Sequence, residues 1–534
     1  MSKISDYLRR HLTGEVSTDS NIQQAMSHDG SIFEITPQIT VFPRTTNDIR
    51  KVMRFAWRLA ERGQVLPLTA RGGGTSATGS AIGSGATLLF GTYMSHILEL
   101  DIKSQMVRVQ PGLNYSALEE AMATHGLTLP VQPSNSKVAT IGGALASNAI
   151  GAKSVKYGEL RDWTDRLEVV LSNGEIIQTE RLSKRELSAK KGLQTMEGEI
   201  YRALDALIDD NAELLENANN LPYAINLVKD KDGSFDLTPL VIGSEGTLGM
   251  ITQAIFRLTP RFDEVELIAA ALADEQDLVD LTDKILELEP SEFEFIDGKT
   301  LKLISEKNGG TPWEVVSKKL PSSMIFVEFD DKKRERKIKK AAKILSEAGV
   351  RDAKIASDFE DQEVLRSAYH SVSYITNFNE RGDSALPLGA DISVDPTSVE
   401  NLVDGLKKLL KRNHLKGGIW GHLGMGNISV WPVINLANLG QRQAVFKFMN
   451  EVRALVREIG GSTGNINSGR LGSPFTENQY GADIAKIIKD IKTIFDPYNT
   501  LNPGVKTGLS QNDLVADMRK EYNRLQFAEF NLRD

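Results

Sequence analysis

Apolar positions first recur with a clear period from Ile39 onward. Val41-Phe42-Pro43 reads as a short strand, and Ile49, Val52, Met53, Ala56 and Leu59 then repeat at helical spacing behind a capping-box-like start at Thr45 and Asp48. Leu66-Pro67-Leu68 predicts a strand that runs straight into a glycine cluster, and Ala86–Phe90 and Met106–Val109 predict two more. Tyr115–His125 has a helical pattern closed by Gly126. Leu167–Leu171 and Glu175–Gln178 flank Ser172-Asn173-Gly174, a hairpin signal. This α+β pattern ends near Pro260.

A second pattern follows. Val265–Ala271, Ser322–Phe329, Asp352–Ala356, Ala390–Val394 and Gly418–Gly421 predict strands. Glu275–Leu288, Lys333–Ala348, the segment from Thr397 to Arg412 and Leu436–Ile459 predict helices. Strands and helices alternating at this spacing predict an antiparallel sheet covered by helices. Asn377–Asp383 is irregular, and Asp513–Phe530 is an amphipathic, highly charged tail.

Composition narrows the chemistry. The 534 residues are 40% hydrophobic, enough for a large core, and the formal net charge of −8 argues against a nucleic-acid binder. There is no cysteine, which removes disulfides, thiolate metal sites and a cysteinyl cofactor link. No stretch reaches the ~18 apolar residues of a spanning helix, and Met1–Arg10 has no signal-like apolar core, so a cytoplasmic protein is expected.

Three small-residue segments carry the chemistry. Arg71-Gly-Gly-Gly-Thr-Ser-Ala-Thr-Gly-Ser80 follows a strand; without Cβ atoms its backbone N–H groups can approach an anion closely, with Thr75 and Ser76 adding hydroxyls. By itself it is equally well a glycine-rich turn. A dinucleotide-binding fingerprint fails on context, since Gly79–Gly85 is no helix and no acidic residue ends the next strand. Thr140-Ile-Gly-Gly-Ala-Leu-Ala-Ser-Asn-Ala-Ile-Gly151 is a second such run, able to hug a flat ligand. Ile242-Gly-Ser-Glu-Gly-Thr-Leu-Gly-Met-Ile251 is a third.

In this order, these segments resemble the FAD-linked oxidoreductases of the vanillyl-alcohol oxidase type, with their PCMH-type FAD-binding domain. Within them the chain is similar to the D-lactate dehydrogenase and glycolate oxidase flavoprotein branch. The matching stretches are Pro67–Ser76, Ala139–Gly143, Lys156-Tyr-Gly158, Ile242–Gly249 and Phe495–Gly504. The resemblance implies an α+β fold, with a two-lobed FAD domain at 37–260 and a cap domain at 261–480 whose antiparallel sheet is covered by helices. A return to the FAD domain is expected at 481–508, after an N-terminal helical segment at 1–36 and before the tail at 509–534. It implies that Arg71, Gly72, Gly73, Gly74, Thr75, Ser76 and Gly79 hold the pyrophosphate. Thr140, Gly142, Gly143, Ser147, Asn148 and Gly151, with Glu245, Gly246, Gly249 and Ile251, would line the rest of the cofactor, and Asn502 would close the site. The first loop has no histidine for a covalent link, so FAD is expected to be noncovalent; His96 reads as an ordinary surface or core residue.

The substrate end departs from the branch. Where the family carries His-x-Gly-Asp-Gly-Asn-x-His, this chain reads His422-Leu-Gly-Met-Gly-Asn-Ile-Ser429. Met425 replaces the aspartate and Ser429 the second histidine. In the later glutamate–histidine segment, Ile466 and Asn467 stand at the ligand positions. One imidazole makes a poor divalent site, so no metal is expected. His422 is left as a base, with Asn427 beside it. Arg366 resembles the family's substrate-carboxylate arginine, or forms an ion pair. Arg470 binds an anion or lies on a loop surface, Tyr369 reads as core, and the basic run Lys332–Lys343 reads as a solvated helix face.

Two functions follow from these residues. One is oxidation of a small alcohol or 2-hydroxy acid by hydride transfer to FAD, with oxygen, a quinone or a partner protein left open as electron acceptor. The other is a flavin-binding electron-transfer or regulatory subunit without turnover of its own.

Overall fold

The computed structural model describes residues 2–216, 218–273, 278–308, 310–376, 382–464 and 468–520. These form two compact units. Among the described residues, one comprises 2–150, 159–261 and 468–518, and the other 151–158, 262–464 and 519–520.

The first unit holds two sheets. In one, β2 (Ile39–Phe42), β4 (Ala86–Leu89) and β3 (Leu68–Arg71) run parallel in that spatial order, with β1 (Glu15–Ser17) antiparallel on the β2 edge. The expected helix, Thr46–Ala60, buries Ile49, Val52, Met53 and Ala56 in a core shared with Leu68, Leu88 and Leu501. The other sheet is antiparallel, in the order β5 (Ile97–Asp101), β6 (Met106–Val109), β10 (Met250–Arg257), β8 (Thr164–Val170) and β9 (Ile176–Thr179). β8 and β9 are the expected hairpin, and Gly174 takes the positive φ of 85° that its turn requires. A small pair joins β7 (Leu127–Thr128) to β11 (Thr259–Pro260).

The second unit is built on one mixed-length sheet with antiparallel pairings throughout. Its order is β15 (Asp352–Ala356), β12 (Glu266–Leu272), β14 (Ser323–Phe329), β13 (Glu292–Asp297), β18 (Gly417–His422), β19 (Asn427–Ile434), β17 (Gly389–Ser393) and β20 (Ser462–Thr463), with β16 (Ser384–Ala385) also on β19. Ile296, Met324 and Phe326 of one sheet face share a core with Leu301 and Ile304 of helix Gly298–Asn308 and Leu365 and Ala368 of helix Phe359–His370. Val399–Arg412 and Leu439–Glu458 form as helices close to their expected bounds, as does the basic helix Arg334–Glu347. β13, β19 and helix Phe359–His370 were not read from the sequence. The stretch 377–381, most of the irregular segment, and the tail beyond 520 lie outside the described residues.

The start at Thr45 and Asp48 works differently from a capping box. Thr45 Oγ1 accepts from Asp48 N at 3.2 Å, as expected, but the Asp48 carboxylate does not reach back to the cap. It accepts from Thr13 N (2.8 Å), Thr13 Oγ1 (2.7 Å), Gly14 N (3.1 Å) and Arg44 N (3.0 Å), pinning the N-terminal strand to the helix start. Burial opposes its ionisation, but the bonds from Thr13, Arg44 and Gly14 outweigh burial and lower its pKa. A lowered folded pKa gives stability that is present above the unfolded value and lost as pH falls through the folded one. Asp48→Asn should therefore destabilise the first unit by about 1.5–3 kcal/mol in denaturant titrations at neutral pH, with the difference shrinking below pH ~4. A variant as stable as the wild type at neutral pH would refute this role.

Candidate functional site

The glycine cluster forms the loop that leaves β3. Backbone N–H groups of Gly72 to Ala77 donate no hydrogen bond among the described residues. Most of these residues are half-buried, so the loop presents a run of donors that the protein leaves without acceptors. Its glycines are needed for packing. A Cβ on Gly72 would lie 2.1 Å from Thr140 Oγ1, and one on Gly73 would lie 2.2 Å from Val138 O. Gly74 has a φ of 69° and sits against the Arg71 guanidinium. Arg71 is buried and donates to Ala81 O (3.1 Å), which closes the loop, and to His28 O (2.8 Å), which ties it to the N-terminal segment. Gly79 packs between Phe33 and Arg470.

The second and third small-residue segments meet the first. Thr140 caps helix Ile141–Ser147, its Oγ1 accepting from Gly143 N at 3.2 Å. Gly142 N donates to Pro111 O at 2.7 Å, and a Cβ there would strike Pro111. Ser147 Oγ turns back to Gly143 O (3.1 Å). Asn148, with a φ of 46°, ends the helix and donates to Glu159 Oε2 at 2.6 Å. Gly151 N donates to Ser154 Oγ and belongs to the second unit. Gly243 N and Glu245 N donate to Leu145 O and Ala146 O, joining the third segment to the end of that helix. Gly246 has a φ of 73°; Gly249 is packed against Val169, and Ile251 pairs with Val169 in the sheet.

Asn502 is the knot. It is buried, its Nδ2 donates to both Ser80 O (2.7 Å) and Glu245 O (2.8 Å), and its Oδ1 accepts from Thr69 Oγ1 (3.2 Å). Glu245 itself receives Lys506 Nζ at 3.1 Å and Gly469 N at 2.9 Å, both within the interior. Arg470 is not on a loop surface: it is buried, donates to Ile82 O (3.2 Å) and packs on Gly79 and Gly504. His96 is exposed and bonded to Gln110. A donor-rich loop that admits no Cβ, braced by two further small-residue segments, fits an extended cofactor carrying a pyrophosphate.

In the second unit, register brings the substrate-end residues together. Glu294, His422 and Asn427 are successive cross-strand neighbours on β13, β18 and β19. His422 Nδ1 lies 2.9 Å from both Glu294 carboxylate oxygens, and Asn427 Nδ2 donates to Asp391 Oδ1 at 2.6 Å. Burial alone would depress the His422 pKa, but Glu294, reinforced by Glu292 and Asp391, outweighs it and leaves the pKa raised. Tyr369, read as core from the sequence, also bonds Glu294 and packs edge-on against Phe326.

Arg366 does form an ion pair, although its partner is interior: Glu328, which also receives Lys153 Nζ at 3.0 Å and Ser291 Oγ at 3.1 Å. Lys153, Lys156 and Tyr157 all bond Asp330. Glu292 faces Glu328 directly across the strands, and burial together with Glu328 pushes its pKa up to about 8. Glu292, Glu294, Glu328 and Asp330 were missed in the sequence. The one available signal was the alternation in Glu292-Phe-Glu-Phe-Ile-Asp297. Met425 lies in a short turn and Ser429 on β19; Ile466 and Asn467 are outside the described residues. Among the described residues, no group of three or more His, Cys, Asp or Glu side chains is arranged to hold a metal ion.

Comparison with known proteins agrees with this geometry. Residues 37–180 match the family model "FAD binding domain", and residues 263–505 match "FAD linked oxidases, C-terminal domain". The D-2-hydroxyglutarate dehydrogenase of Pseudomonas putida is 26% identical over 92% of this chain, and the chain spans about half of its length, 50%. The glycolate oxidase subunit GlcD of Bacillus subtilis is 26% identical over 88% of this chain and 89% of its own. Among solved structures, 4-ethylphenol oxidase from Gulosibacter chungangensis superimposes with a TM-score of 0.69 at 16% identity, over 96% of this chain and 98% of that one. p-Cresol methylhydroxylase gives 0.68 at 15% identity, over 96% and 97%; both likenesses concern the fold. With its two domain models matched in order and this fold around the glycine cradle, the chain belongs to the FAD-linked oxidases with a PCMH-type FAD-binding domain.

Proposed function

We propose that the protein oxidises the carbon–hydroxyl group of a small alcohol or 2-hydroxy acid with noncovalently held FAD. The observation that carries this reading is the run of acceptor-free N–H groups from Gly72 to Ala77, in a chain of the FAD-linked oxidase family. Gly72–Ser76 and Gly79 hold the pyrophosphate. Thr140, Gly142, Gly143, Ser147, Asn148 and Gly151, with Glu245, Gly246, Gly249 and Ile251, line the remainder. Arg71 and Asn502 act by positioning, since each is bonded to carbonyls of the surrounding segments. When bound, FAD supplies the hydride acceptor for a carbon–hydroxyl bond becoming a carbonyl. Glu294 fixes the His422 ring through Nδ1, which leaves Nε2 as the nitrogen that takes the hydroxyl proton. No metal is needed in this scheme, because Met425 and Ser429 offer poor ligands for a hard cation.

The same replacements favour a second reading, a flavin-binding subunit without substrate turnover. Anaerobic bleaching of the flavin by any alcohol or hydroxy acid excludes it.

The cofactor assignment predicts a yellow protein that releases FAD into solution on acid precipitation. Gly73→Val should lose the flavin, because its Cβ would meet Val138 O. Gly310→Ala should keep it, as a Cβ there has open space. Flavin retained by a folded Gly73→Val protein, checked by circular dichroism, would show that the loop is not the cradle.

The base assignment predicts a pH profile. Only the neutral imidazole accepts a proton, and the His422 pKa is raised above 6.5. Flavin reduction should therefore rise with pH through an inflection above that value. Glu294→Gln removes the charge that holds the proton and should move the inflection down. His422→Asn should slow reduction by about 10²–10⁴-fold while FAD stays bound, and chelators should change nothing. An inflection unmoved in Glu294→Gln would place the base elsewhere.

A further inference from the structure

Resting on the oxidoreductase reading, we propose that the substrate is an uncharged alcohol, because the cations bordering the polar sheet face of the second unit are already held by interior carboxylates of that face. Arg366 and Lys153 both bind Glu328, whose side chain is 0% exposed. Lys153 and Lys156 bind Asp330, at 3%. His422 binds Glu294, at 2%. Four cationic side chains, counting His422 when protonated, are thus set among Glu292, Glu294, Glu328, Asp330 and Asp391. Among the described residues named here, an incoming carboxylate finds each positive charge already paired with an acid. To reach Arg366 it must compete with Glu328, whose side chain is already out of solvent, and it adds like charge beside buried carboxylates.

Glu292 serves as an internal gauge of that environment. It is a carboxyl group already placed on this face, and burial and the neighbouring Glu328 make it keep its proton up to about 8. A substrate carboxylate would face the same opposition. The other means of gripping a 2-hydroxy acid, a divalent metal, lacks its donors at Met425 and Ser429. What remains suits a neutral hydroxyl compound. Ser429 offers a hydroxyl, and Trp420, directly opposite it on the neighbouring strand, stands edge-on to Trp431 at 5.1 Å, both packed against the apolar core of the second unit.

The test uses the FAD-loaded protein under anaerobic conditions, with glycerol, xylitol and benzyl alcohol set against glycolate, D-lactate and D-2-hydroxyglutarate. Bleaching of the visible flavin band by at least one uncharged alcohol, at concentrations where no hydroxy acid acts, is the expected result. A hydroxy acid that bleaches at lower concentration than every uncharged alcohol overturns the proposal. Glu328→Gln preserves shape while releasing Arg366 and Lys153 from a buried charge. By calorimetry it should bind D-lactate about 10-fold or more tighter than the wild type does. Asp330→Asn, which releases Lys156 and leaves Lys153 to Glu328 alone, provides the same measurement if Glu328→Gln does not fold. Lactate binding no tighter in the folded variant overturns the charge argument. A flavin bleached by dithionite but by neither substrate class refutes the oxidoreductase reading, and calorimetry on the same proteins then decides the charge argument by itself.

Discussion

Six consecutive backbone N–H groups with no acceptor among the described residues are a costly thing to hold in place, and much of the first unit can be understood as the means of holding them. Inside the loop Ser76 Oγ ties residues together, accepting from Thr78 N, Ser80 N and Ser80 Oγ, while the glycine stretch before it must be shaped by its surroundings. Arg71 clamps it through the Ala81 and His28 carbonyls, Thr140 fills the space that Gly72 leaves, and Asn502 ties its far end to the third small-residue segment. These braces come from strands and loops far apart in the chain; Asn502 and Thr69 are separated by 433 positions. Removing the Asn502 amide would leave two interior carbonyls unsatisfied, at about 1–3 kcal/mol each. The Glu245–Lys506 pair is buried on both sides, an arrangement that commonly adds little net stability. Its value here is geometric, since Glu245 also receives Gly469 N and presents the carbonyl that Asn502 binds.

The second unit solves a different problem, the placing of side chains. Strand register does it: Glu294, His422 and Asn427 meet because β13, β18 and β19 pair in one alignment. A slip of one residue would turn all three to the opposite face. The buried carboxylates on this face require partners, and the partners that satisfy them are Arg366, Lys153, Lys156 and His422. The charges therefore hold one another as well as whatever they act upon.

Much of the scaffold was legible in the sequence because it is periodic. Met106–Val109 and Asp352–Ala356 form at their expected bounds, and the Ser172-Asn173-Gly174 turn joins β8 to β9 as its chemistry requires. The three glycine segments were legible for a related reason: absent side chains are themselves a signal. The acidic face was not. Glu292 and Glu294 lie on a strand whose charged residues point inward, which inverts the rule that apolar residues mark the core. Their partners could not be read from spacing either, since Glu294 and His422 are 128 positions apart. Arg366 was visible as a candidate, yet whether it faces solvent, substrate or Glu328 depends on a strand pairing that local pattern does not encode. Asp48 shows the same limit at short range, for its carboxylate turned to Thr13, Gly14 and Arg44 and away from its own helix cap.

The two units also differ in how they tolerate change. The cradle recognises through backbone N–H groups, so its function survives replacement of most side chains provided the glycines and their braces remain. The sheet face recognises through side chains, so single replacements such as Met425 and Ser429 can alter its chemistry while the strands that carry them stay paired. That asymmetry fits the comparisons, in which this chain resembles relatives named for 2-hydroxyglutarate, glycolate and lactate at about a quarter identity. A fold of this kind holds the glycine loop's shape in its main chain and carries the charged side chains of the second unit on the central strands of a sheet. Those strands carry acids already paired with bases, and such an arrangement disfavours bringing a further unpaired charge in beside them.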